Sequence, residues 1–346
     1  MSAFISTSYS NSPFVISFKI LLGLYLIIPL CLIIAWLDYW LGNQWLLIHL
    51  PSSPGHFLLF QLLFGTPHIL ASSLLLITNH SYLQFYQKRL MLMSLFIILL
   101  FGIGSLWISY RSLYIIAACW TVHHVLKQQI GVGRAVYRLP NYLFYLILSL
   151  SISCGILIYL GIFLKNELKA EIVSIIQIIS CLLAVLLVII TIFAQQYATH
   201  IVGQYFLYAN TLLIISSLYL YSQRYYFLAI LMPRLVHDIT AYLFYITHDY
   251  NKHYLHPQNW FYQQIQFYRL PIIWTLPLFS VLLTIFLQQY GNDLIAWIAK
   301  TLLGFEIHKA VSLGLIGYLS LMHYYTEGFI WKQGSPLRQF IRFKIE

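Results

Sequence analysis

The stretch Ile172–Ala194, IVSIIQIISCLLAVLLVIITIFA, contains no charged residue over 23 positions. About 20 apolar residues span the hydrocarbon layer of a bilayer, so a run of this length reads as a transmembrane helix. The pattern recurs along the chain. The expected spans are 14–37, 57–78, 90–109, 112–132, 141–164, 172–194, 201–222, 225–250, 270–290 and 302–330. Pro13, Pro140 and Pro271 stand at span starts, where a missing N–H costs little, and Gly334 and Pro336 follow the last run. Residues 44–50 read as an interfacial helix.

Composition points the same way. Of 346 residues, 60% are apolar or aromatic and 8% are formally charged, against about a quarter charged in a soluble domain. No segment between the runs is long enough for a separate soluble domain, so residues 1–346 read as a single integral membrane domain. The predicted fold class is all-α: a polytopic transmembrane helical bundle of about ten spans. The first run has no basic segment before it and reads as a retained anchor. In a bacterium the location would be the inner (plasma) membrane.

The net charge of +10 is spread over helix ends instead of forming a basic patch with exposed aromatics, so nucleic acid is not an expected partner. The lipid bilayer is. Placing both termini in the cytoplasm puts Lys19, Lys88, Arg89, Lys127, Arg134, Arg138, Lys252, Arg269, Lys332, Arg338, Arg342 and Lys344 on the inner side. Only Arg111, Lys165, Lys169, Arg224 and Lys300 then face outward, with Arg234 and Lys309 inside spans. That asymmetry follows the positive-inside rule and favours an even number of crossings. Cys31, Cys119, Cys154 and Cys181 all fall within apolar runs without CxxC spacing and read as small hydrophobes.

An ionisable side chain near the middle of a span costs about 2.5–3.5 kcal/mol on insertion scales, so its placement is informative. His68, His123, His124, His237, His248 and His323 lie within the second, fourth, eighth and tenth runs, all crossing in the same direction. His237 and His248 share a helix face about 16 Å apart along the axis, and each precedes an aspartate, Asp238 and Asp249. His323 and Glu327 are neighbours at i and i+4, as are His123 and Lys127. Pro67 adjoins His68, and Pro233 stands one turn before His237. His49, His56, His80, His200 and His256 fall at span ends and read as solvated, while His308, beside Glu306 and Lys309, stands apart from this set.

Imidazole binds iron, copper and zinc, and carboxylates add oxygen ligands or orient the rings. The expected metal-ligand pool is therefore His68, His123, His124, His237, His248, His323 and Glu327. Asp238 and Asp249 would orient imidazoles or shuttle protons, and Tyr245 would serve the chemistry. Non-haem iron is the expected metal, with copper, zinc or haem as alternatives. The expected function is oxidation of a lipid-soluble small molecule at a buried site. A transporter or proton pathway and a haem-binding electron carrier are the competing readings. Oligomeric state is not legible.

Gly65-Thr66-Pro67-His68 resembles the Gly-x-Pro-His element of the bacterial Brp/Blh family, membrane carotenoid-cleaving dioxygenases of similar size and histidine content. Ile69 and Ala71 replace the glycine and aspartate that usually follow. The resemblance covers these four residues and implies one assignment, His68 as an iron ligand.

Overall fold

The computed structural model describes residues 14–345 except 256, 258, 269, 305–313 and 333, with the backbone alone at 292, 295, 298, 299, 302 and 303. Pro13, His256, Arg269, Glu306, His308 and Lys309 lie outside the described residues.

The chain is an all-α polytopic membrane bundle. Its helical segments are α1 (Phe18–Trp40), α2 (Leu58–Ile77), α3 (His80–Leu106), α4 (Tyr110–Tyr137), α5 (Asn141–Phe163) and α6 (Ala170–Tyr197). They continue with α7 (Ile201–Ser222), α8 (Tyr226–His253), the short α9 (Trp260–Phe267), α10 (Ile272–Leu303) and α11 (Gly314–Ile330). Among the described residues, eight helical stretches are long and apolar enough to cross a membrane. The other two expected spans are also helical. However, α4 carries His123, His124, Lys127, Gln128 and Gln129 within its 28 residues, and α11 is 17 residues long. The expected interfacial segment contains a helix at Trp45–His49.

α3 begins at His80, ten residues before the expected start at 90, and the last two spans also differ from expectation. α10 continues well past residue 290 and ends at Gly304, whose φ of +76° gives the left-handed helix stop that glycine adopts without strain. The expected span 302–330 is therefore broken at Gly304, its described helix is Gly314–Ile330, and its residues 305–313 lie outside the described residues.

A helix pairs most of its backbone polar groups within itself, as a lipid-exposed segment requires. Packing between helices then depends on close approach. On α5, a Cβ at Gly155 would lie 2.8 Å from Leu126 Cδ1 and 2.9 Å from Val122 Cγ1 of α4, so the missing side chain admits the neighbouring helix. Cys31 and Cys154 are buried, Cys119 is half-buried and Cys181 is exposed, and all four are free thiols.

Strands β1 (Ile16–Ser17) and β2 (Phe343–Lys344) pair in parallel, joining the two ends of the described chain. The Asn251 side chain fastens them to the end of α8, donating to the carbonyls of Phe14 (2.9 Å) and Phe340 (2.8 Å) and accepting from the Phe14 amide (3.1 Å). The two ends therefore lie on one side of the bundle, which agrees with an even number of crossings.

Four helices position the site. α8 and α11 each pack against both α2 and α4, forming a closed ring around a shared interior.

Candidate metal centre

Each helix of the ring sends side chains to its centre. α2 contributes His68, α4 His124, α8 His237 and Asp238, and α11 His323 and Glu327. All six are buried. The local sequence explains how they arrive there. On α2, the π-helical turn Gln61–Gly65 runs into Thr66-Pro67, placing the proline in the first turn of the following α-helix with His68 next in line. On α8, Pro233 removes one backbone donor inside the helix, and Gln129 of α4 donates to the Pro233 carbonyl at 2.6 Å. α4 is thereby tied to α8 one turn before His237.

The rings crowd together. Centroid separations are 4.7 Å for His124–His237, 4.9 Å for His68–His323, 5.0 Å for His124–His323, 5.4 Å for His68–His237 and 6.3 Å for His237–His323. His124 Nε2 lies 3.3 Å from Glu327 Oε2, and His323 Nε2 lies 4.0 Å from the same oxygen. Asp238 Oδ1 is 3.5 Å from His68 Nε2 and 4.0 Å from His237 Nε2. Arg234 Nε stands 3.9 Å from Asp238 Oδ1 and is the nearby cation.

The outer nitrogens and oxygens are held. His68 Nδ1 donates to the Phe64 carbonyl at 2.8 Å, which leaves Nε2 with its lone pair facing inward. Ser72 donates to the Ile69 carbonyl at 2.7 Å and so accepts from His323 Nδ1 at 2.9 Å, fixing the same tautomer there. Tyr245 and Trp331 both donate to Glu327 Oε1, Trp331 at 3.2 Å. Tyr324 packs over the His124 ring at 4.7 Å.

The inner atoms are not held. His68 Nε2, His124 Nε2, both nitrogens of His237, both oxygens of Asp238, His323 Nε2 and Glu327 Oε2 are all buried without a hydrogen-bond partner. Leaving one such group unsatisfied costs about 1–3 kcal/mol, and more for a charged one. Eight in one place make a costly site if its contacts are purely structural. Neutral imidazoles oriented by outer hydrogen bonds and mixed with carboxylates are the donor set of a metal site. The residues fall into two groups whose ligand atoms all lie within 4.8 Å of one another: His124, His237, His323 and Glu327, and His68, His237 and Asp238. They fit a metal ion.

The structure does not bring the rest of the expected pool to this centre. His123 is half-buried on α4 and points away, because adjacent helical residues diverge by about 100°. His248 lies at a different depth on α8, with its Nε2 3.0 Å from the Tyr82 hydroxyl. Asp249 lies near His253, at 3.9 Å, in a second buried polar cluster. There Lys252 donates to Asn79 Oδ1 at 2.6 Å, and the His253 ring stacks on Tyr262 at 3.9 Å. Tyr245 reaches the site only through Glu327 and His323, holding ligands and not facing the inner atoms. His49, His56 and His80 are exposed and His200 is half-buried, as span-end positions imply.

Sequence reading missed Ser72 and Trp331. Both had a signal, since each stands four residues after a candidate ligand, Ser72 after His68 and Trp331 after Glu327, the spacing of neighbours along a helix. Searches of protein-family models, curated proteins and solved structures return no match.

Proposed function

We propose that this chain is an integral membrane oxygenase or related oxidoreductase that uses non-haem iron and acts on a lipid-soluble substrate. The reading rests on one observation: buried, unpartnered imidazole and carboxylate atoms converge from four helices. The ligand set of the main group is His124, His237, His323 and Glu327. A redox-active ion in such a set supplies one-electron chemistry toward oxygen, which oxidation of an unactivated apolar molecule requires. Four rings packed this closely favour a bare ion over a porphyrin, which needs a flat slot between its axial ligands. The surrounding protein excludes bulk water, so Tyr245, Trp331 and Ser72 hold the ligands in a low-dielectric interior where their hydrogen bonds are strong. An intramembrane site suits a substrate that arrives laterally from lipid.

Elemental analysis of the purified chain tests the reading. Stoichiometric iron is expected in the native protein, with loss of that metal in His124→Ala and His237→Ala. Retention of full metal in both variants overturns the assignment. Zinc alone would move the function from oxidation to hydrolysis.

A further inference from the structure

We infer that the centre is built for two metal ions that share His237. The inference rests on the metal-binding reading above and adds a second ion to it. The two ligand groups overlap in a single residue: His124, His323 and Glu327 make up the rest of one, His68 and Asp238 the rest of the other, and His237 belongs to both. His237 also departs from the pattern of its neighbours. A ligating imidazole ordinarily donates its second ring N–H to a carbonyl, carboxylate or water. His68 and His323 do this through Phe64 and Ser72. Both nitrogens of His237 are buried and unpartnered, in a ring that is 1% exposed. A ring free at both nitrogens and common to two ligand groups is suited to bridge.

Ligand counting agrees. Six side chains present the eight orphaned atoms, and both His237 nitrogens can bind only if there are two ions, since the two nitrogens of one imidazole cannot reach the same ion. With one His237 nitrogen per ion, the first ion takes His124, His323 and Glu327. The second takes His68 and the Asp238 carboxylate, which leaves positions open for substrate. Charge also closes acceptably. Binding the second ion displaces the His237 ring proton to solvent, so the imidazolate, Asp238 and Glu327 together supply three negative charges against two divalent cations. Arg234, beside Asp238, keeps the second group less negative than the first.

The full chain in detergent, stripped with chelator and titrated with Co²⁺, tests this by visible absorption and electron paramagnetic resonance. Saturation at two equivalents is expected, with the second equivalent altering the resonance of the first through coupling across the shared ring. His68→Gln and Asp238→Asn are each expected to saturate at one equivalent with an uncoupled signal. Saturation of the native chain at one equivalent overturns the two-ion inference and leaves the proposed function standing. Two equivalents in both native chain and His68→Gln also overturn it, since the second ion would then lie elsewhere. No Co²⁺ binding overturns both readings. Should the variants fail to fold, stoichiometry and coupling in the native chain decide alone.

Discussion

α6 and α8 are both 28 residues long, yet they divide their surfaces in opposite ways. α6 is the most apolar of the eight spans, and 22% of its most apolar window is buried within the protein; for α8 the share is 67%. α6 turns Ile175, Ile178, Leu182, Val185 and Ile189 outward, whereas α8 buries His237, Asp238, Tyr245, His248 and Asp249. In a water-soluble protein the assignment would be reversed. Lipid removes the penalty for exposing leucine and raises it for exposing aspartate, so apolarity marks the periphery and polarity marks the interior.

This contrast can be broken most forcefully from outside. Leu182→Arg places a charge on the exposed face of α6 and should cost about 2.5–3.5 kcal/mol of insertion free energy, read as lost membrane yield in a glycosylation-type insertion assay. Inside, Ser72→Ala removes the acceptor that orients His323 and should weaken metal binding about 10–100-fold in a chelator competition, with helix content unchanged by circular dichroism. Gly155→Leu sharpens the comparison at the α4–α5 contact. Overpacking there should cost about 1–3 kcal/mol, seen as a lower thermal midpoint in detergent with metal stoichiometry retained. Asn251→Ala should cost about 1 kcal/mol and hasten proteolysis at the chain ends. Leu182→Ala should change stability by no more than about 0.5 kcal/mol. A large effect there would mean that α6 faces protein, not lipid.

The same contrast explains what could be read from sequence. Long uncharged runs such as 172–194 carry no ambiguity, because only a membrane span tolerates them. Polar residues set inside such runs were equally legible, and His68, His124, His237, His323, Asp238 and Glu327 do meet. The failures are geometric. His123 and His124 are adjacent, and sequence alone does not give the rotation of α4, which allows only one of them to face inward. His248 failed by depth. It shares a face with His237, but three helical turns separate them, and a metal centre is only a few ångströms across. The end of α10 was also hidden, since Gly304 acts as a stop only through its left-handed backbone.

The paired strands at the chain ends have a consequence for biogenesis. Ile16 waits for Phe343, so this contact cannot form until all the helices between them and β2 itself have left the ribosome. The bundle therefore closes as a ring whose clasp joins a segment made before the first helix to one made after the last described helix. Deleting the final few residues should release the amino-terminal segment from α8, a defect remote from the missing residues in sequence but adjacent to them in space.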